Sequence, residues 1–242
     1  MIYDKIYDFC KVRNTHGAYK NGIDEYSPRL KFIINTIDEL NLNYEIIKFN
    51  DSIFKNNYFY NIYLKGNSDM MAIAHHDVYN PNCDNANDNS ASIINCLLLK
   101  KLNPDINIAI IDGEEPPCFG IGSKRLASDI ISKYFGKIKH VLNLELTGLG
   151  GNNFFIGKLG SRLENKIIKE FNPLVISVPF NDSMILMDKN IDSTVITSLP
   201  IINNIPDYSI MSRIHTKLDS IDSISINDMK IFTEKIALKI LS

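Results

Sequence analysis

The chain has 242 residues, of which 45% are hydrophobic and 22% charged, values typical of a folded globular protein and not of a disordered or fibrous one. We expect one domain over residues 1–242, because α/β folds of this length often form a single core. Twenty-six Lys and Arg against 28 Asp and Glu give a net charge of −2. Without a basic field to attract polyanions, neither nucleic acid nor a membrane surface is predicted as a partner.

The first 14 residues do not resemble a secretion signal. Asp4, Lys5, Asp8 and Lys11 interrupt their apolar residues, and no later run approaches the roughly 18 apolar residues of a membrane span. We therefore predict a cytoplasmic protein. Its four cysteines form no CxxC pair and are too few for a disulfide scaffold, so free thiols are expected.

The predicted elements begin with a helix over Ser27–Leu40. Ser27 is a helix N-cap residue and Pro28 fits the first helical turn, while Leu30, Ile33 and Ile37 recur at helical spacing. Two strands rich in aromatic and β-branched residues follow, at Tyr44–Phe49 and Tyr58–Leu64.

From residue 70 onward, short apolar runs alternate with longer amphipathic ones. The predicted strands are Met70–Ala74, Ile106–Ile111, Val141–Leu146, Asn152–Ile156 and Thr194–Ser198. The predicted helices are Ser90–Leu102, Ser123–Tyr134, Ser161–Phe171 and Asn227–Leu241. This alternation predicts a three-layer α/β/α sandwich with a central, mostly parallel mixed sheet. Functional residues of such sheets gather beyond the carboxyl ends of the strands.

Histidines and carboxylates lie where these elements meet loops. They are His75, Asp77, Asp88, Glu114, Glu115, Glu145 and His215. Taken alone, each has an ordinary interpretation as a loop histidine, a helix N-cap or a solvated turn. Together they would bring several negative charges to one sheet edge, where they would repel one another unless cations lay between them. The sequence therefore predicts a metal site.

The same residues resemble the di-zinc aminopeptidases of metallopeptidase family 28. That family has His-x-Asp, Asn-Asp-Asn-x-x-Gly, Glu-Glu before Gly-Ser, an acid after a strand, and a late His. The matching segments here are AHHD, NDNSAS, DGEEPPCFGIGS, NLELTG and HTKLD, in the same order over Ala74–Asp219. The resemblance implies a zinc exopeptidase-like fold and amide-bond hydrolysis.

The resemblance also implies a role for each residue. Asp88 would bridge two metal ions, His75 and Glu145 would complete one site, and Glu115 and His215 the other. Two Zn²⁺ ions are expected, and Co²⁺ or Mn²⁺ could replace them at an oxygen-rich site.

Two catalytic roles are expected as well. Asp77 would accept the other ring N–H of His75 and orient the imidazole. Glu114 would be the general base that takes a proton from the water held between the metals and passes it to the leaving amine. Adjacent side chains of an extended strand point in opposite directions. Glu115 can nevertheless bind metal while Glu114 reaches the water, because the backbone turns where the strand ends.

Three departures from the family pattern stand out. Glu145 replaces the more common Asp, Ser92 replaces a Gly, and Pro116-Pro117-Cys118 lengthens the loop after Glu115. They bear on the shape of the substrate site more than on metal binding.

The favoured function is a di-zinc aminopeptidase acting on N-terminal residues of peptides, with a peptide or small amide as substrate. A single-zinc glutaminyl-peptide cyclase, a carboxypeptidase or aminoacylase of the family, and an inactive metal-binding module remain as alternatives. Loops 181–192 and 202–213 would face the site, but the sequence gives no ground for choosing substrate-binding residues in them. It shows no inserted lid or dimerisation domain, which is compatible with a monomer.

Overall fold

The structure is a computed structural model that describes residues 2–18 and 25–242. Its main sheet has eight strands: β1 Glu45–Phe49, β2 Phe59–Leu64, β3 Met70–His75, β4 Asn107–Ile111, β5 His140–Leu144, β6 Phe154–Gly157, β7 Leu174–Ile176 and β8 Ser193–Ser198. Their order across the sheet is β1-β2-β4-β3-β5-β8-β6-β7. The central strands β4, β3, β5 and β8 run parallel, whereas β1, β2 and β6 pair antiparallel with their inner neighbours.

Helices cover both faces of this sheet. They are α1 Lys5–Lys11, α2 Pro28–Glu39, α3 Ala91–Leu102, α4 Ile121–Ile131, α5 Arg162–Phe171, α6 Asp182–Asp188, α7 Ile226–Phe232 and α8 Leu238–Leu241. A π-helical turn over Thr233–Ala237 joins the last two. None of the helices in the described ranges is long and apolar enough to cross a lipid bilayer.

Side chains of the central strands point alternately to the two faces of the sheet, and each face has its own hydrophobic core. Ala72 and Ile108 point to the larger core, which packs against α1, α2, α3, α5, α7 and α8. Ile73 and Ala109 point the other way, to the core under α4 and α6. Successive strand side chains face opposite sides of a sheet, and both sides here are buried. The predicted three-layer α/β/α fold with a mixed sheet is confirmed.

Two of the predicted helices begin at serine residues that cap their N-termini. The Ser27 hydroxyl accepts a hydrogen bond from the Leu30 N–H at 3.1 Å, and Pro28 occupies the first turn of α2. Ser161 caps α5 in the same way, accepting from the Glu164 N–H at 2.8 Å. The predicted helices and strands are all present, with ends that shift by up to three residues.

Several short elements escaped prediction. They are α1, β7, α6 and the small hairpin of β9 Ile201–Ile202 and β10 Ile205–Pro206. Helix α1 buries Ile6, Phe9 and Cys10 on one face. Seven residues give too few repeats for the pattern to stand out, so these elements depend on tertiary packing for their stability.

The order of the central strands explains where the polar residues meet. Strand β3 ends at His75, β4 is followed by residues 112–115, and β5 is followed at once by Glu145. Because β4, β3 and β5 are adjacent and parallel, their carboxyl ends share one edge of the sheet.

Candidate metal centre

Asp88 lies between two imidazole rings. Its Oδ1 is 3.1 Å from Nε2 of His75, and its Oδ2 is 3.1 Å from Nε2 of His215. Each carboxylate oxygen thus faces a different histidine. This geometry is what a carboxylate shared by two metal ions requires.

A second carboxylate accompanies each histidine. Oε2 of Glu145 is 3.6 Å from Nε2 of His75, and Oε1 of Glu115 is 2.9 Å from Nε2 of His215. Ligand atoms of His75, Asp88 and Glu115 lie within 4.8 Å of one another, and all three residues are buried. The structure therefore brings together all five residues that the sequence proposed as ligands.

Side chains flanking Asp88 tie its loop to the loop after β5. Oδ1 of Asn87 accepts the Gly148 N–H at 2.8 Å. Nδ2 of Asn89 donates to the Glu145 carboxylate at 2.9 Å and to the Leu144 carbonyl at 3.0 Å. The Asn-Asp-Asn segment thus presents Asp88 to the site while its two amides hold the neighbouring loop.

Asp77 contacts three groups of the site. Its Oδ1 is 3.5 Å from Nδ1 of His75, at the long limit of a hydrogen bond. Its two oxygens also accept the backbone N–H groups of Glu114 at 3.1 Å and Glu115 at 2.9 Å. The aspartate therefore lies where it can orient both His75 and the turn that carries the two glutamates.

Glu114 and Glu115 line the same cavity although they are adjacent in sequence. The chain turns between β4 and α4, with Gly113 and Gly120 at positive φ. A Cβ on Gly113 would come within 2.5 Å of Ile121, so the turn needs glycine there for space as well as for conformation.

His215 is held by contacts that the sequence did not predict. Its ring stacks on Tyr79 with centroids 4.6 Å apart and planes 25° apart. Nδ2 of Asn80 donates to the His215 carbonyl at 3.2 Å. His215 has a φ of 64°, in the left-handed region that non-glycine residues seldom adopt. The contacts with Tyr79 and Asn80 help to hold it in that conformation.

Asp219, four residues after His215, was missed as well. Asp219 is 2% exposed, and its carboxylate accepts the backbone N–H groups of Asn87 at 2.8 Å and Asp88 at 3.1 Å. Burial and the charge of Asp88 raise the pKa of Asp219 to about 6, against the opposing effect of the buried Arg29. The HTKLD segment contained Asp219, but a bond to a backbone 131 positions away leaves no local signal.

The carboxylates and histidines of the centre shift one another's pKa values. Burial disfavours ionisation of Asp88, but hydrogen bonds from His215 and His75 outweigh it and lower its pKa. Hydrogen bonds to Asp88 and Glu115 raise the pKa of His215 to about 10. Burial, with the charge of Asp88, raises the pKa of Glu115 to about 7. Cations between these carboxylates would relieve the repulsion among their negative charges.

Glu114 has a different environment. It is half-buried, and burial together with the charges of Asp182 and Glu145 raises its pKa well above the usual range. Asp182 is fully buried, accepts a hydrogen bond from Ser123, and was not singled out from the sequence.

The departures from the family pattern have structural counterparts. Ser92 is buried on α3, and its hydroxyl lies 2.8 Å from that of Thr147 in the loop after Glu145. Cys118 is buried, as are the other three cysteines. Pro116 and Phe119 of the lengthened loop line the cavity.

The cavity beside these residues has a volume of about 350 Å³. Of the loops that were expected to face it, Asn181, Tyr208 and Met211 do so. The segment 176–180, which precedes the first of those loops, also contributes and was not expected to.

Solved structures with the same fold include aminopeptidases and a cyclase. The aminopeptidase LapA of Legionella pneumophila is 12% identical, with a TM-score of 0.70 over 99% of this chain and 70% of its own. A glutaminyl cyclase of Porphyromonas gingivalis is 14% identical, with a TM-score of 0.73 over 99% and 96% of the two chains. A Zn-dependent exopeptidase of Parabacteroides distasonis is 13% identical, with a TM-score of 0.71 over 100% and 97%. At identities this low, the similarity shows a common fold and does not by itself show a shared activity.

Comparison of the sequence with family models identifies the family as well as the fold. A comparison with curated proteins gives no match. The model of the family described as Peptidase family M28 matches residues 60–239, which include every candidate residue discussed above. The chain belongs to peptidase family M28.

Proposed function

We propose that this protein is a two-zinc aminopeptidase that hydrolyses the amide bond after the N-terminal residue of peptides. The observation that carries the proposal is the position of Asp88, with one carboxylate oxygen facing His75 and the other facing His215. Glu145 and Glu115 then give each histidine a carboxylate partner.

The donor set fits zinc. Each ion would receive one imidazole nitrogen, one carboxylate of its own and one oxygen of Asp88. Three protein ligands leave a coordination position free for water or substrate, which is typical of catalytic zinc. Cobalt and manganese suit the same mixture of nitrogen and oxygen donors.

Two bound ions would supply Lewis-acid chemistry, lowering the pKa of a water molecule and polarising the scissile carbonyl. The protein's own residues do the rest. Glu114 lines the cavity and accepts the proton from the attacking water, then delivers it to the leaving nitrogen. Asp77 keeps the His75 ring and the backbone of Glu114 and Glu115 in place through its three contacts.

The charge of the cavity favours a substrate with a free amino terminus. Asp88, Glu114, Glu115 and Glu145 line it, and none of its described lining residues is Arg or Lys. A substrate carboxylate would find neither Arg nor Lys to pair with, whereas an α-ammonium group would find Glu114, the lining carboxylate that is not a proposed zinc ligand. This argues for an aminopeptidase over the carboxypeptidase and aminoacylase alternatives.

Convergence of all five proposed ligands supports two metals over the single zinc expected of a cyclase. The presence of Glu114 in the same cavity supports catalysis over an inactive metal-binding module.

The proposal is tested by hydrolysis of a panel of aminoacyl amides before chelation, after chelation and after zinc is added back. We expect chelation to abolish hydrolysis and zinc to restore it. Zinc-loaded protein that hydrolyses no amide in the panel would support the inactive module instead.

A further inference from the structure

The carboxylate of Glu145 is held by two buried amides. Nδ2 of Asn89 donates a hydrogen bond to Oε2 of Glu145 at 2.9 Å, and Nδ2 of Asn143 donates to Oε1 at 3.2 Å. An ionised carboxylate only accepts hydrogen bonds, so both amides must present their nitrogen to it. Oε2 is also the oxygen that lies 3.6 Å from Nε2 of His75. The bond from Asn143 therefore fixes the other oxygen and leaves Oε2 on the side of the metal centre.

The neighbours of Asn143 across the sheet are apolar. Asn143 pairs with Ile73 of β3 and with Val195 of β8, and both are buried. Ile73 and Val141, which precedes Asn143 by two residues, belong to the core under α4 and α6. Asn143 is itself fully buried. Since a buried amide without a partner is unfavourable, an apolar residue would suit this position better if Asn143 made no hydrogen bond.

Glu145 is the partner that the Asn143 side chain has. Among the described residues, the amide bonds only to Glu145, and its Oδ1 accepts no hydrogen bond. Asn107 of β4 is also fully buried but bonds differently, since its Oδ1 accepts a backbone N–H at 2.9 Å and its Nδ2 donates to two backbone carbonyls at 2.7 and 3.3 Å. Asn107 therefore stabilises neighbouring backbone, whereas Asn143 acts on a side chain of the metal centre.

We propose that Asn143 is a positioning residue for zinc, which holds Glu145 so that Oε2 can bind the ion on the His75 side of Asp88. The inference rests on the proposed two-zinc centre. A glutamate has one more rotatable bond than the aspartate that is more common at this position, and fixing it before the metal arrives removes part of the entropic cost of binding. A donated hydrogen bond also favours the ionised carboxylate, which is the form that binds metal.

The test examines each side of the centre separately. His215→Ala protein keeps the His75 side, and His75→Ala protein keeps the His215 side. Adding Asn143→Ala to the first should weaken zinc binding by about 10- to 100-fold, as is typical of residues behind metal ligands, and adding it to the second should leave zinc binding unchanged. Zinc affinity is measured by competition with a chromophoric chelator. Unchanged affinity on the His75 side, or an equal loss on both sides, would overturn the inference.

Asn107→Ala in the His215→Ala protein is the matched control. It removes three hydrogen bonds to backbone groups, so it should lower the Tm and keep the zinc affinity. Asn143→Leu removes the amide without leaving the space that alanine leaves, and it should weaken zinc binding as Asn143→Ala does. If Asn107→Ala loses as much zinc affinity as Asn143→Ala, the effect comes from fold stability and the inference is wrong.

Shortening the ligand tests whether Asn143 acts through Glu145. Glu145→Asp withdraws the carboxylate toward the backbone, out of position for a hydrogen bond that is already 3.2 Å long. In His215→Ala protein that also carries Glu145→Asp, Asn143→Ala should therefore weaken zinc binding much less than it does beside Glu145. The same loss beside either acid would contradict action through Glu145.

None of these measurements requires turnover, so the two proposals can fail separately. Zinc binding that depends on Asn143, in a protein that hydrolyses no amide, would overturn the proposed activity and support the inference. His215→Ala protein that binds no zinc would overturn both the inference and the two-zinc centre.

Discussion

The Asp219 carboxylate accepts the backbone N–H of Asp88 at 3.1 Å, with its other oxygen 2.8 Å from the N–H of Asn87. One loop therefore carries His215, a proposed ligand, and also the group that holds the backbone of Asp88, the proposed bridging carboxylate. Residues behind metal ligands commonly affect affinity by about 10- to 100-fold.

We expect Asp219→Ala to weaken zinc binding by about that factor. Without the carboxylate, the N–H groups of Asn87 and Asp88 lose their acceptor and the Asp88 loop loses its fixed position. Zinc affinity is measured by competition with a chromophoric chelator, and thermal unfolding is measured in parallel.

Asp84→Ala is the matched control. Asp84 Oδ2 accepts the Ile221 N–H at 3.0 Å and so joins the same two stretches of chain without touching Asp88. This variant should lose stability but keep its zinc affinity. If both variants lose zinc affinity equally, Asp219 acts only by stabilising the fold.

Glu114→Gln should lower kcat by about 10²- to 10⁴-fold while zinc content stays unchanged, because an amide cannot take the proton from water. Turnover and bound zinc are measured on the same preparation. Near-normal turnover in this variant would remove Glu114 from its role as base.

Stacking of Tyr79 on His215 should contribute to zinc retention. Aromatic pairs add about 0.5–1.5 kcal/mol, so Tyr79→Leu is expected to increase the zinc dissociation constant by about 2- to 12-fold. Tyr79→Phe keeps the ring and should match the wild type. Equal losses in the two variants would assign the effect to the hydroxyl instead.

Zinc binding should strengthen as pH rises. Hydrogen bonds to Asp88 and Glu115 raise the pKa of His215 to about 10, so His215 holds a proton at neutral pH in the metal-free protein. Burial raises the pKa of its partner Glu115 to about 7, so Glu115 takes up a proton as the pH falls below neutral. A metal must displace these protons, which lowers its apparent affinity in acid. Calorimetry in buffers of different ionisation enthalpy should detect proton release, and zinc affinity independent of pH would contradict the expectation.

The sheet and the five proposed ligands could be predicted because each leaves a local signal. Apolar strands such as β4 and capped helices such as α2 follow from periodicity, and parallel strands bring their polar ends to one edge. Asp219, Tyr79 and Asn87 act through contacts between distant parts of the chain. The cavity wall depends on β7, too short at three residues to have a pattern.

The central claim is that Asp88 joins two metal ions, and the most direct measurement is the zinc content of the zinc-saturated, desalted protein by mass spectrometry. Two zinc ions per chain in the wild type, falling to one in His75→Ala, is the predicted result. One zinc per chain in the wild type, unchanged by His75→Ala, would contradict it.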